Sequence, residues 1–329
     1  MARVCRYLFP LLMVVAATKP ESAAGAETYQ LIGQIRMDEQ EFSRRALPLV
    51  LLEGTKVPFA ARTNADWSGK FKFKNLHPDL FTLIVYIPRA GEHRQTVEVS
   101  SGLADSKKRV HVEVSFRPNL ASMNLRKVSS VQLSIPEKAR KEFSKATQKL
   151  GKRDLEGAIA HLNKAVGIAP QFTDAWNTLG TLAYKMKEYA LAESHFREAL
   201  KHDPDYYPSM VNLGGVLLTM GKLQEALPLN TAAVVERPDD ALAHAQLGLN
   251  YYHLGQLSEA EKYLKQAIAL DPGHFSFPHL PLADIYFRRE DFGSAALLYE
   301  QFLALHPDAP QSPSVLARLK TLRGRTRTK

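Results

Sequence analysis

Residues 171–204 read QFTDAWNTLGTLAYKMKEYALAESHFREALKHDP, and the residue types at Trp176, Leu179, Gly180, Ala192, Phe196, Ala199 and Pro204 return in neighbouring segments. Prolines at 170, 204, 238, 272 and 307 are separated by 34, 34, 34 and 35 residues. Repetition at this period marks a helical solenoid, in which each unit buries its apolar face only against its neighbours. The spacing has a mechanical reading. Proline lacks an N–H and keeps the residue before it out of the α region, so each proline stops one helix. Small residues at Gly180, Gly214, Gly248 and Ala283, with Ala192, Ala226, Ala260 and Ala295, let two antiparallel helices approach closely. Asp205, Asp239, Asp240 and Asp308 follow the stops and are expected at helix N-termini, where carboxylates satisfy free N–H groups.

Further copies carry Leu213-Gly214, Ala226, Ala233 and Pro238, then Leu247-Gly248, Tyr251, Ala260, Ala267 and Pro272, then Leu282-Ala283, Tyr286, Ala295, Tyr299 and Pro307. A degenerate first copy keeps Ala146, Ala158, Leu162, Ala165 and Pro170. These residues resemble the tetratricopeptide repeat across 137–307, divided as 137–170, 171–204, 205–238, 239–272 and 273–307. The resemblance implies an all-α superhelical solenoid that binds proteins. Pro228 inside a second helix and Pro281 inside a first helix predict local distortion, and Phe302 stands where other repeats carry a small residue. Residues 308–329 read as a capping helix, apolar along Val315, Leu316, Leu319 and Leu322, with a basic tail.

The first part of the chain has a different period. Tyr29, Leu31, Gly33 and Ile35, then Leu49 to Leu52, Phe71 and Phe73, Phe81, Leu83 and Val85, Val97 and Val99, and Val110 to Phe116 alternate as short strands, which predicts an antiparallel β-sandwich over 27–117. Gly33-Gln34-Ile35, followed by Asn64, Asp66, Gly69, Phe71, Phe73, Asn75, Leu76, Pro78, Phe81 and Leu83, resembles a carboxypeptidase regulatory-like domain of the transthyretin type. Asp79-Leu80 departs from that pattern, which has Pro-Gly before the aromatic strand. A linker, 118–136, joins the two parts. Ahead of both, Arg3 and Arg6 precede the apolar run Tyr7–Ala17, and Ala24-Gly25-Ala26 supplies small residues, so 1–26 read as a signal peptide cut after Ala26. The apolar run is too short for the ~20 residues of a membrane-spanning helix. An exported protein of the periplasm or cell envelope is expected.

The net charge of +9 divides unevenly along the 329 residues: +5 over 27–136, −3 over 137–307 and +5 from 308 onward. The single Cys, Cys5, excludes a disulfide framework and thiolate metal clusters. No phosphate-binding Gly-rich loop, His-Glu-x-x-His or Gly-x-Ser-x-Gly occurs, so no catalytic residue, metal site or cofactor is assigned and a non-enzymatic adaptor is expected. His244 and His279 occupy the position of Trp176 in their repeats and are expected as packed, hydrogen-bonded core residues. The basic runs Lys107-Lys108-Arg109 and Arg318 to Lys329 raise nucleic-acid binding, which export disfavours; contact with anionic lipid or lipopolysaccharide is the alternative.

Recognition is expected on the stripe of first helices that this repeat family turns toward its groove. The stripe comprises Asn177, Thr181 and Tyr184; Val211, Gly215 and Leu218; Ala245, Leu249 and Tyr252; and Leu280, Asp284 and Phe287. Its apolar content points to a peptide or protein partner held by apolar contacts, against the alternative that curvature or self-association covers it. Lys185 and Arg288 stand at its edge, and too few cations accompany Asn177 for a carboxylate clamp. In the sandwich, Trp67 lies in a turn and is the candidate sugar contact for an envelope-polysaccharide partner, whereas Phe81 falls on the core side. Partner identity and oligomeric state are not encoded in any motif.

Overall fold

Proline placement and strand alternation together account for the architecture. The computed structural model describes residues 27–37, 47–87, 90–116 and 134–326, with side chains to residue 323. The expected signal segment, most of the linker and the end of the basic tail lie outside the described residues.

Seven described strands come first: β1 (Tyr29–Met37), β2 (Leu49–Gly54), β3 (Ala60–Asn64), β4 (Lys70–Leu76), β5 (Asp79–Ile87), β6 (Gly91–Val99) and β7 (Arg109–Phe116). They form a three-stranded sheet, β4-β1-β7, and a four-stranded sheet, β3-β2-β5-β6. Leu31, Ile35, Phe71 and Val114 of the first and Val50, Leu52, Phe81, Leu83 and Val97 of the second belong to one buried cluster, so the two sheets share a core. The expectation of an all-antiparallel arrangement is corrected at one place: β1 and β7 pair in parallel, from Gln30↔Arg109 to Met37↔Phe116. The first and last strands run in the same direction there because the chain crosses to the other sheet between them. Gly33 is required for room, since a Cβ there would sit 1.9 Å from the Phe71 ring. The turn at 64–69 is held by Asp66, whose Oδ1 accepts from the Ser68 and Lys70 backbone N–H at 2.8 and 2.9 Å. Where Asp79-Leu80 departs from the family pattern, Asp79 Oδ2 accepts from Val57 N–H at 3.2 Å and ties the β2–β3 loop to β5.

Eleven described helices follow: α1 (Glu137–Gly151), α2 (Leu155–Ile168), α3 (Thr173–Lys185), α4 (Tyr189–His202), α5 (Tyr207–Thr219), α6 (Leu223–Glu236), α7 (Ala241–His253), α8 (Leu257–Leu270), α9 (His279–Arg288), α10 (Phe292–Leu305) and α11 (Ser312–Thr326). The five residues before the periodic prolines, Ala169, Asp203, Arg237, Asp271 and His306, all leave the helical region, with ψ of 87, 92, 86, 92 and 61°. Each stop is therefore the pre-proline restriction acting as expected. The other turn of each repeat uses a left-handed residue at an equivalent place: Arg153, Lys187, Gly221, Gly255 and Glu290.

Helix contact depends on the small residues. A Cβ on Gly180 would lie 2.6 Å from the Phe196 ring, and one on Gly248 would lie 2.8 Å from Leu264. The third repeat substitutes Asn230 at the corresponding place. Its Nδ2 donates to Asn250 Oδ1 at 3.1 Å, while its own Oδ1 is buried without a partner. Pro228 lies inside α6, but Pro281 falls in the first turn of α9, where no intrahelical donor is required, so the expected distortion of that helix is corrected. Phe302 is fully buried, edge-on to Phe277 at 5.3 Å, in a cluster with Val315, Leu319 and Leu322 of α11. Leu316 instead faces outward, 44% exposed, which narrows the apolar stripe of the closing helix.

Gly180→Ala is expected to destabilise by about 1–3 kcal/mol, because the buried Phe196 ring cannot withdraw. Gly167→Ala, whose Cβ meets nothing within 4 Å, is expected to stabilise by about 0.5–1 kcal/mol through helix propensity. Urea unfolding of both variants checks the opposite signs.

Candidate functional site

The stripe expected to bind a partner is not one continuous apolar surface. Val211 and Ala245 are buried, at 3% and 0% exposure, and Val211 clusters with Tyr207, Ala233 and Ala243. These two positions are corrected: both are buried and neither offers surface to a partner. Asn177 Oδ1 accepts from Ser209 Oγ at 3.1 Å and Asn212 Nδ2 at 2.9 Å, stitching α3 to α5. Thr181 Oγ1 donates to the Asn177 carbonyl at 2.9 Å. Gly215 is closed off by Gln246, whose Nε2 would lie 2.5 Å from an added Cβ. Leu280 packs on the cluster that contains Phe277 and Leu282.

What stays accessible is a ribbon at the C-terminal ends of four successive first helices: Tyr184, Leu218, Tyr252 and Phe287. Tyr184 and Phe287 are both 39% exposed, and Leu218, Leu249 and Tyr252 are half-buried. Tyr184 packs against Tyr189 with the rings tilted and their centroids 5.6 Å apart, and Phe287 meets Phe292 edge-on at 5.5 Å. Tyr252 donates to Asp284 Oδ2 at 2.7 Å, and Arg288 Nη2 donates to the Tyr252 hydroxyl at 3.1 Å. Burial, with Asp284 beside it, pushes the Tyr252 hydroxyl up to about 12. Lys185 and Arg288, the cations at the stripe's edge, are thus engaged: Lys185 Nζ donates to the Gly54 carbonyl of β2, and Arg288 pairs with Asp284.

The Lys185 contact belongs to a larger feature that the sequence did not announce. Leu80 and Ile84 of β5 point away from the β core yet are 3% and 6% exposed, and Leu80 belongs to the buried cluster of α8 to α11. The outer face of the four-stranded sheet is therefore docked on the solenoid. At the α1 end, Arg153 lies over the Phe59 ring at 5.7 Å. At the other end, the edge strand β6 meets the inter-repeat loops. Asp271 Oδ2 accepts from Thr96 N–H at 2.8 Å, and His306 Nδ1 lies 3.1 Å from Glu98 Oε2. Asp308 accepts from Gly102 N–H at 2.9 Å.

Asp308 was expected to cap a helix, and this is corrected by that contact. Of the other Asp expected at helix starts, Asp240 caps α7, accepting from Leu242 and Ala243 N–H. The residue at the start of α5 is Tyr206, next to Asp205, with no side-chain cap. Asp154 and Asp291 cap second helices instead.

The histidines follow the core reading to different degrees. Trp176 Nε1 donates to the Pro170 carbonyl at 2.7 Å, and His244 Nε2 donates to the Pro238 carbonyl at 2.9 Å, each reaching six residues back. The fifth repeat is one residue longer, so Pro272 lies seven residues before His279, and His279 Nδ1 is buried without a partner. Burial pushes that imidazole down to about 4, with His306 adding repulsion. Trp67 is 72% exposed, and Phe81 is fully buried. Among the described residues no group of three or more His, Cys, Asp or Glu has metal-binding geometry, and no helix is long and apolar enough to cross a membrane.

Residues 173–206 and 241–274 match family models of the tetratricopeptide repeat. A BBSome complex member BBS4 homolog of Drosophila melanogaster is 24% identical over 153 residues, covering 46% of this chain and 32% of that protein. An Hsp70-Hsp90 organising protein of Plasmodium falciparum is 28% identical over 98 residues, covering 30% of this chain and 39% of that protein. The chain thus spans about a third of the length of these curated relatives. Among solved structures, PilW, a widely conserved type IV pilus biogenesis factor, superposes with a TM-score of 0.52 at 20% identity, covering 57% of this chain and 87% of that one. The similarity to PilW concerns the fold alone. Proteins built from these repeats are generally protein–protein interaction scaffolds and typically carry no catalytic activity.

The buried neutral His279 makes a pH prediction. Its folded value lies below the unfolded 6.5, so the unfolded chain takes up the proton first as pH falls. Stability is expected to be unaffected above about pH 6.5 and to fall by on the order of 3 kcal/mol between there and pH 4. His279→Phe flattens that part of the profile; thermal unfolding across the window measures it, and an unchanged slope counts against the assignment.

Proposed function

We propose that this protein, whose solenoid contains tetratricopeptide repeats, is a non-enzymatic adaptor of the bacterial cell envelope that holds a protein or peptide partner on its first-helix face. The observation that carries the reading is the ribbon Tyr184, Leu218, Tyr252 and Phe287 on four successive repeats: Tyr184 and Phe287 are exposed, and Leu218 and Tyr252, packed on one side against the core, keep part of their surface accessible. Aromatic side chains supply large contact area at small entropic cost, which suits them to partner recognition. The names of the relatives, a complex member and a chaperone-organising protein, support an assembly role. The residue order at the N-terminus, cations then a short apolar run then small residues, supports export.

A second reading rests on the β domain, taken here as a carboxypeptidase regulatory-like sandwich. Trp67 presents its indole to solvent from the β3–β4 turn, where a ring face suits stacking on a sugar. Under this reading the domain holds envelope polysaccharide while the repeats serve as the assembly platform.

A photo-crosslinking amino acid at position 184 or 287 of the full chain in the producing bacterium is expected to capture a discrete partner. Tyr184→Ser with Phe287→Ser is expected to lower capture from a crosslinker at position 218 by fivefold or more without changing the unfolding midpoint. Capture that survives both substitutions refutes the ribbon, and a crosslinked glycan dependent on Trp67 favours the second reading.

A further inference from the structure

β6 lies across the solenoid in a way that a passive domain contact does not require. It is the edge strand of its sheet, so alternate N–H groups on its free side have no strand partner. Its residues with outward side chains include Arg94, Thr96 and Glu98; Thr96 and Glu98 each contact a different inter-repeat loop, while Arg94 pairs with Glu92 on its own strand. Arg94 lies in the field of Asp240, at the start of α7, as well as that of its neighbour Glu92. Thr96 meets the α8–α9 loop twice, its N–H reaching Asp271 at 2.8 Å and its Oγ1 accepting from Phe275 N–H at 3.4 Å. Glu98 meets His306 before α11, where the two side chains are 9% and 1% exposed. Thr96 and Glu98, two residues and about 6.6 Å apart along the strand, thus reach two successive loops.

The loop groups that do this are set by the proline stops. Asp271 and His306 are both pre-proline residues, held extended with their side chains off the helix. Arg237, the equivalent residue one repeat earlier, stacks over the Tyr207 ring at 4.0 Å, and Tyr207 in turn donates to Asp240 at 2.8 Å. The loops therefore make a ledge that meets the main chain of an extended strand through the Asp271 carboxylate and a strand carboxylate through the His306 imidazole, with Asp240 setting a negative field at the other end.

We propose that this ledge is a strand-reading site occupied by β6 as an intramolecular ligand, and that the partner it takes when the β domain lifts is an extended segment presenting a cation, a hydroxyl residue and a carboxylate at alternate positions. The site is separate from the aromatic ribbon. Docking of the β domain then acts as self-inhibition, with the ledge available only in the undocked state.

The test uses the full chain and a labelled peptide of residues 91–102, GEHRQTVEVSSG. Thr96→Pro with Glu98→Ala removes the N–H that meets Asp271 and the carboxylate that meets His306; proline is tolerated on an edge strand where the N–H faces away from the sheet. Glu98→Arg alone serves as a second variant that leaves the β6 backbone intact. Spin labels at Trp67→Cys and Val235→Cys, both on exposed positions, in a Cys5→Ser background report docking by pulsed EPR. The expected result is a distance distribution that broadens in both variants, with peptide affinity at least tenfold above wild type and lost again on adding Asp271→Ala. An unchanged distance distribution in both variants overturns the proposal. So does undocking without peptide binding, or a peptide affinity that is indifferent to Asp271.

Discussion

The conformational restriction that proline places on the residue before it is the constraint on which the solenoid depends. Five pre-proline residues at near-constant spacing leave the helical region, and each departure ends a second helix and starts an inter-repeat loop. Because the stops recur every 34 or 35 residues, the loops stack in register and the first helices line up side by side. The same restriction turns the side chains of Asp271 and His306 outward, which supplies the contacts to β6. A local backbone rule thus reaches both the solenoid and the interface with the β domain.

The domain contact mixes apolar and polar terms. Leu80 and Ile84 supply buried apolar area, while Thr96, Glu98 and Gly102 fix register through hydrogen bonds to the loops. Burying an edge strand also removes a hazard, since its free N–H groups otherwise template pairing with another chain. Interfaces of this mixed kind permit relative domain motion more readily than a wholly apolar one. That balance makes the docked sheet a candidate regulator of what the repeats bind.

Some features were legible from residue types alone. The helix stops, the small residues at helix contacts, the inward face of β5 and the exposed Trp67 follow from local rules of backbone and periodicity. The functional stripe was legible only in outline. Helical spacing puts Val211 and Ala245 on the same face as Tyr184, yet the two are buried, Val211 among Tyr207, Ala233 and Ala243 of its own and neighbouring helices. Asp308 reads as a helix cap by spacing, and becomes a main-chain acceptor because Gly102 arrives from the other domain. His244 and His279 look equivalent by repeat position, but one extra residue in the fifth repeat leaves His279 without the proline carbonyl that His244 reaches.

By itself, the order of residues determined the repeat period, the change from alternating to helical pattern, the charge of each part and the lack of recognisable catalytic motifs, because these depend on neighbours within a few turns of chain. Only the tertiary structure decided that β1 and β7 run parallel, that the outer face of the four-stranded sheet is covered, and that Asp271 and His306 serve β6 and Asp308 the loop after it. These partners are separated in sequence by 175, 208 and 206 residues. No periodicity encodes contacts at such separations; they arise when two independently patterned surfaces, one an edge strand and the other a row of loops, meet with matching spacing and complementary hydrogen-bonding groups.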